Sequence, residues 1–240
     1  TYTLVKVSGA SPLWFIPPMM VALFLLGLLL HRLIFRRLAA TSPNAEAMEA
    51  RSLIVGFGLM FIAQNVAQLI WGGGMSGQPY LDEPVKFGEV TVAANRLLVL
   101  VVVAAASLAL VLVLKKTLLG KAVRGMLQAP LGAMRAGSDT GVLRTACFGL
   151  GLALAGLAGG LLSMVYELTP SMGEPYTISA LIVITLGGLG NIPGAIAGAI
   201  LLGLVETFGM YFTSPSLKTL ISYGVLVGVL LLRPKGLFAR

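Results

Sequence analysis

Glu206 is an acidic residue inside a long apolar run, LGGLGNIPGAIAGAILLGLVE, which covers residues 186–206. An ionisable side chain is costly in such surroundings, so it is a candidate functional residue by default. A structural acid, protonated or hydrogen-bonded near the outer interface, is the alternative. The sequence leaves both roles open.

Three amides form a polar cluster in a second apolar run, SLIVGFGLMFIAQNVAQLIWG: Gln64, Asn65 and Gln68. Gln64 and Gln68 are four residues apart and therefore share one helix face. The cluster could form hydrogen bonds between helices, or it could line a path through the protein.

Residue sets that catalyse reactions are missing from the sequence. Cys147 is the only cysteine, so no cysteine-based metal site is expected. His31, the only histidine, lies at a predicted helix end beside Arg32, so we expect it at the membrane interface and not in a His–Ser–Asp set. A phosphate loop needs G-x-x-x-x-G-K followed by Ser or Thr. The nearest dipeptide, Gly120–Lys121, has Lys115 in place of the first glycine and is followed by Ala122. We therefore predict no catalytic residues, no metal site, no bound cofactor and no ATPase site of its own.

The composition indicates an integral membrane protein. Hydrophobic residues make up 57% and charged residues 11% of the chain, and mean hydropathy is +0.94. Soluble domains are closer to half apolar and a quarter charged. The apolar stretches approach the roughly 20 residues that cross a bilayer as a helix.

The elements that must position these residues are transmembrane helices, and the fold class is an all-α polytopic bundle. Pro12, Pro17 and Pro18 are expected to mark the beginning of the first span, where a missing N–H costs least. We place the whole chain, 1–240, in a single transmembrane domain. Its predicted spans cover residues 13–30, 52–71, 97–114, 145–165, 177–190, 194–212 and 217–232.

Basic residues predict the orientation. The loops 31–52, 115–144 and 233–240 carry thirteen Lys and Arg residues, whereas the opposite side carries four. The positive-inside rule makes the first side cytoplasmic, including the C-terminus. The net charge of +8 is thus a topology signal in a bilayer protein, and we expect no nucleic acid partner.

The apolar run around 186–206 is broken by residues that interrupt a helix or let helices approach closely: Gly187, Gly188, Gly190, Asn191, Pro193 and Gly194. The loops that flank this run, near Glu174 and Ser214, are both predicted to lie outside. The chain must therefore enter the membrane and return to the outer side between them. The piece 177–190 is short for a full crossing. It is either a tilted short helix or a re-entrant descent, and such a break is tolerated only beside protein or water. These residues could line a translocation path or serve helix packing alone.

The interval 115–144 is basic and contains amphipathic stretches around 122–127 and 131–136, separated at Pro130 and stopped at Gly137. It could rest as a solvated loop on anionic headgroups. Alternatively, it forms a short cytoplasmic helix that docks into a partner.

The whole chain resembles the permease subunits of bacterial branched-chain amino acid ABC importers, a family that also includes urea and ribose permeases. The resemblance is carried by HRLIFRRL, SLIVGFGLMFIAQNVAQLIWG, GKAVRGMLQAPLGAMRAG, FGLGLALAGLAGGLLSMVYELTPSMG, LIVITLGGLGNIPGAIAGAILLGLVE and LLLRPKGLF. The order and spacing of these segments are more specific than any one of them.

This resemblance implies an ATP-driven importer subunit in the bacterial cytoplasmic (inner) membrane. Its partners would be a second permease subunit, identical or homologous, two cytoplasmic ATPase subunits that use ATP, and an external substrate-binding protein. Within 115–144 it implies an ATPase-coupling loop with Lys121, Arg124, Gln128, Pro130, Ala133, Arg135 and Gly137 as its contact residues. The implied cargo is leucine, isoleucine and valine, with urea, short amides or other amino acids as alternatives.

Two departures from the family pattern stand out. Family members begin with further N-terminal helices, so we expect the chain starting at Thr1 to be truncated. Ala129 and Leu131 replace the polar residues usual in the coupling loop, which would alter its contacts.

A self-contained channel or secondary transporter is the competing class, because such proteins place polar groups at midplane on broken helices. One broken region, no evident repeat and few midplane charges count against it.

Overall fold

A computed structural model describes residues 11–72, 84–87, 90–128, 139–188, 190–212, 214 and 217–232 of the chain. Apart from one short hairpin, its described elements are helices. In chain order they are α1 (Pro12–Leu30), a π turn (His31–Phe35), α2 (Arg36–Thr41), α3 (Ala45–Trp71), β1 (Pro84–Phe87), β2 (Val90–Ala93), α4 (Ala94–Lys116), α5 (Leu118–Gln128), α6 (Thr140–Leu162), α7 (Gly173–Gly187), α8 (Ile192–Phe212) and α9 (Lys218–Leu232).

The prediction of an all-α polytopic bundle is confirmed. Five helical segments of the described chain are long and apolar enough to cross a membrane: Pro12–Thr41, Glu46–Trp71, Ala94–Lys116, Thr140–Leu162 and Ile192–Phe212. The predicted pair of a short and a longer helix around the 187–194 break is also present, as α7 and α8.

The first helical segment is longer than predicted. Pro17 and Pro18 lie in the N-terminal part of α1, within the predicted span 13–30. The predicted loop 31–52 is mostly helical, because the π turn and α2 continue the helix to Thr41. Arginine is a good helix former, so the basic residues mark the edge of the apolar segment and not the end of the helix. The carbonyl of Thr41 accepts from Arg51 Nη1 at 3.1 Å, which ties the end of α2 to α3.

A hairpin lies within the polar interval that was predicted as a loop. β1 and β2 pair antiparallel, with Pro84 opposite Ala93 and Phe87 opposite Val90. α4 follows β2 without a break and begins at Ala94, three residues before the predicted span.

The described residues fall into two compact units, one within Thr1–Ala106 and Lys116–Pro170, the other within Ser107–Lys115 and Ser171–Arg240. The core of the first is formed by Ile16, Leu161 and Met164. The core of the second is formed by Ile182, Leu186 and Leu202, covered by apolar side chains of α9. The assignment of residues 1–240 to a single domain stays a prediction.

In the first unit α1 packs tightly on α6. A Cβ added to Gly27 would lie 2.7 Å from the Cα of Gly149, and one added to Gly149 would lie 3.1 Å from the carbonyl oxygen of Phe24. Small residues let helix backbones approach in this way when no hydrophobic effect drives association. The glycines of α6 therefore set the distance between these two helices.

Candidate functional site

The break in the second unit is built on backbone conformations that suit glycine. α7 ends at Gly187, and Gly188 follows with φ 80° and ψ 138°. Gly190 has φ 82°. Residues with a Cβ rarely adopt these conformations, so the reversal between α7 and α8 depends on glycine at both positions.

Asn191 starts the return helix. Its side-chain Oδ1 accepts a hydrogen bond from the backbone N–H of Gly194 at 3.1 Å, and its carbonyl accepts from Ala195 N at 2.9 Å. An asparagine in this place satisfies one of the free N–H groups of a helix N-terminus. Pro193 lies in the first turn of α8, where its missing N–H costs little.

The two helices then approach backbone to backbone. A Cβ added to Gly187 would collide with the backbone nitrogen of Ala195, and one added to Gly194 would collide with the carbonyl oxygen of Gly187. Gly187, Gly188 and Gly194 are buried. The structure thus brings the predicted break residues together in one tight turn, and their role in lining a path stays a prediction.

Glu206 lies on α8 opposite α9. The hydroxyl of Ser222, a buried residue on α9, donates to Glu206 Oε1 at 2.5 Å. A short O–H···O contact to a carboxyl oxygen is typical of a strong hydrogen bond. The geometry gives Glu206 a structural partner and leaves its functional role as a prediction.

The amide cluster of α3 lies on a sparsely packed helix. Asn65 donates through Nδ2 to the carbonyl of Phe61 at 2.8 Å, four residues back in the same helix. Asn65 and Gln68 are exposed, and Gln64 is partly exposed. The predicted roles of this cluster, hydrogen bonding between helices or lining a path, stay predictions.

The predicted coupling segment contains a well-formed helix, α5. Thr117 caps it, since its side-chain oxygen accepts from Gly120 N at 3.2 Å and its carbonyl accepts from Lys121 N at 3.1 Å. Met126 is buried, whereas Lys121 and Arg124 are exposed. The neighbouring Leu118 and Leu119 are 80% and 68% exposed.

Other predicted coupling residues lie beyond this helix. Gln128 is its last residue. Pro130, Ala133, Arg135 and Gly137, together with the second amphipathic stretch 131–136, lie outside the described residues.

Asn95, at the start of α4, was missed by sequence reasoning. It is buried, and its Nδ2 donates to the carbonyl of Met164 at 3.1 Å. Its Oδ1 is buried without a hydrogen-bond partner in the described part of the chain. The available signal was an amide two residues before the apolar run 97–114, where hydropathy alone indicates only the boundary of a span.

Comparison with known proteins agrees with this architecture. The family described as "Branched-chain amino acid transport system / permease component" matches residues 1–230. No solved structure matches the chain.

Three relatives illustrate the range of similarity. The chain is 31% identical to the high-affinity branched-chain amino acid transport system permease protein BraD of Pseudomonas aeruginosa, over 78% of this chain and 64% of BraD. It is 28% identical to LivH of Escherichia coli K12, described in the same terms, over 84% and 68% of the two chains. A probable LivH of Methanocaldococcus jannaschii is 26% identical over 98% and 77%. The chain therefore spans about two thirds of the length of the first two relatives.

Proposed function

Since this chain belongs to the family of permease components of branched-chain amino acid transport systems, we propose that it is the membrane subunit of an ATP-driven ABC importer. In this role its helices form part of the translocation path for leucine, isoleucine and valine. The family match over residues 1–230 is the observation that carries the proposal. The names of the relatives support the choice of cargo.

The energy for transport would come from partner subunits. The sequence has no phosphate loop, and we propose that this chain has no ATPase activity and binds no cofactor. ATP would be bound and hydrolysed by two cytoplasmic ATPase subunits docked beneath a pair of permease subunits. An external binding protein would deliver the amino acid.

α5 is the element best suited to contact an ATPase. It lies between two candidate spans, α4 and α6, and exposes adjacent leucines beside Lys121 and Arg124. A helix with an apolar and a basic surface can insert into an acidic, apolar-lined groove of a partner. We propose this helix, with the residues up to Gly137, as the coupling element.

The chain is a multi-pass membrane protein, and its placement in the bacterial cytoplasmic membrane with a cytoplasmic C-terminus is part of the proposal. The excess of basic residues on one side supports this orientation. In this orientation α5 would lie on the cytoplasmic side, where ATP is available.

Co-purification tests the coupling role. The gene product carrying this chain is expressed with its ABC ATPases and purified from detergent-solubilised membranes. We expect the ATPases to remain bound to the wild type and to be lost when Lys121→Glu and Arg124→Glu are combined, because the basic surface of α5 is reversed. Uptake of labelled leucine into cells should fall in parallel.

Arg37→Glu is a control for charge reversal elsewhere on the same predicted side, since Arg37 is an exposed arginine of α2. It should retain the ATPases. Failure of the wild type to bind any ATPase would remove the importer assignment and favour a self-contained transporter. Equal ATPase loss in the control and the α5 variant would instead remove only the role of α5.

A further inference from the structure

A pocket of about 400 Å³ opens in the first unit where the π turn and α2 pass the beginning of α6. Three arginines line it: Arg32, Arg36 and Arg144. All three are exposed. Asp139 is the one acid among the described lining residues, and its Oδ1 already accepts from Gly141 N and Val142 N at 2.9 and 3.1 Å. The pocket therefore carries an excess of positive charge.

Its wall is held by a partly buried cluster of hydrogen bonds and aromatic rings. His31 Nδ1 lies 2.9 Å from Thr145 Oγ1, and Thr145 Oγ1 also lies 2.8 Å from the carbonyl of Gly141. The hydroxyl has one proton, so both contacts form together when Thr145 donates to Gly141 and the His31 Nδ1–H donates to Thr145. Phe148 packs against His31 and Phe35 at ring-centroid distances of 5.6 and 4.8 Å.

The π turn supplies much of this geometry. His31, Arg32 and Phe35 line the pocket, and the turn that carries them is a single π segment within a longer helix. Arg36, the first residue of α2, also lines the pocket. Such segments are rare and are found frequently at functional sites.

The length of α1 indicates that the pocket lies at the depth of lipid headgroups. α1 has 19 residues before the π turn, which is about 28 Å of helix and close to the roughly 30 Å of a bilayer core. Arg144 directly precedes the apolar part of α6, residues 145–162. The orientation proposed above would put these arginines in the cytoplasmic leaflet, where anionic lipids attract basic residues.

The lining also contains apolar side chains. Phe35, Met48 and Val142 share the pocket with the arginines. A free inorganic anion makes no favourable contact with apolar side chains. A phospholipid does, because its phosphate is attached to glycerol and acyl carbons. Guanidinium groups bind phosphate oxygens in a planar, paired geometry.

We propose that this pocket binds the phosphate of an anionic phospholipid in the cytoplasmic leaflet. The proposal is independent of the transported substrate. A bound lipid would join α2 to the start of α6, and α6 follows the coupling interval in sequence.

Native mass spectrometry of the purified, detergent-solubilised protein tests the proposal, with phosphatidylglycerol and phosphatidylcholine of identical acyl chains as probes. We expect phosphatidylglycerol to be retained preferentially. Arg36→Gln or Arg144→Gln should weaken its binding about tenfold, and the double variant about 100-fold, because each substitution removes a guanidinium that would make charge-assisted hydrogen bonds to the phosphate. Arg37→Gln, an equal loss of charge on an arginine that is not among the described lining residues, should leave binding unchanged.

Thermal unfolding provides the second measurement. Phosphatidylglycerol should raise the Tm of the wild type and of Arg37→Gln, and should not raise that of the double variant. Arg144→Lys keeps the positive charge and should retain most of the phosphatidylglycerol binding. It therefore distinguishes loss of the charge from loss of folding caused by substitution at this position. Equal retention of the two lipids, or undiminished phosphatidylglycerol binding by the double variant, would overturn the site. Displacement of the lipid by millimolar sodium phosphate would identify a free-anion site instead.

Discussion

At the residue scale, the contacts separate conformational requirements from chemical ones. The glycines of the 187–194 break are explained by positive φ at Gly188 and Gly190 and by backbone contact at Gly187 and Gly194. None of these features needs a substrate. Glu206 differs because a carboxyl group in an apolar helix is costly, and its hydrogen bond from Ser222 offsets part of that cost.

Substitution of Glu206 distinguishes its two roles. Glu206→Gln keeps an oxygen that can accept from Ser222, so we expect unfolding stability and leucine uptake close to those of the wild type. Glu206→Leu removes the oxygen that accepts from the buried Ser222 hydroxyl. The loss of this hydrogen bond should lower the free energy of unfolding by about 0.5–2 kcal/mol. Thermal unfolding in detergent and labelled-leucine uptake are measured side by side. Loss of uptake in Glu206→Gln at unchanged stability would show that the acid itself is functional.

At the element scale, helix packing in the first unit depends on α1 and α6. The backbone approach at Gly27 and Gly149 brings α1 close to α6. The π turn that follows α1 then meets the beginning of α6, where His31 and Thr145 join. The arginine-lined pocket next to the His31–Thr145 contact therefore depends on the close packing of α1 on α6 at Gly27 and Gly149, about one helical turn away.

Gly27→Ala tests that dependence. The new Cβ would lie 2.7 Å from a backbone atom of Gly149, so the helices must separate, at a cost of about 1–3 kcal/mol. Gly151→Ala is the matched control, because a Cβ at Gly151 on α6 meets nothing within 4 Å. We expect a lower Tm for Gly27→Ala and an equal or higher Tm for Gly151→Ala. Equal Tm values for the two variants would contradict the close approach of α1 and α6.

Sequence patterns predicted the elements better than their ends. Hydropathy located the helices, yet it missed the continuation from His31 to Thr41 because it measures where a membrane ends and not where a helix ends. The hairpin Pro84–Ala93 was missed because two four-residue strands give a weak periodic signal. The break residues were predicted from glycine, asparagine and proline, whose local effects are strong.

At the scale of the whole molecule, the features that sequence patterns did not predict depend on contacts between residues far apart in the chain. The pocket joins residues 31–36 with 139–145, and the His31–Thr145 contact bridges 114 positions of the chain. No local pattern encodes such a pairing. Asn95 is similar, because its partner Met164 is 69 residues away.

The orientation of the whole molecule is the last prediction, and it rests on charge and span length together. Arg37 and Lys86 are both exposed, and they precede and follow α3 in the chain. The candidate span in α3, Glu46–Trp71, has 26 residues, which is about 39 Å of helix. A single crossing by α3 would therefore put them on opposite sides of the membrane. In a Cys147→Ala background, a membrane-impermeant maleimide on intact spheroplasts should label Lys86→Cys, and should label Arg37→Cys only after the membrane is broken. The reverse pattern would invert the orientation and place α5 away from cytoplasmic ATPases, whereas labelling of both sites in intact spheroplasts would show that α3 does not cross.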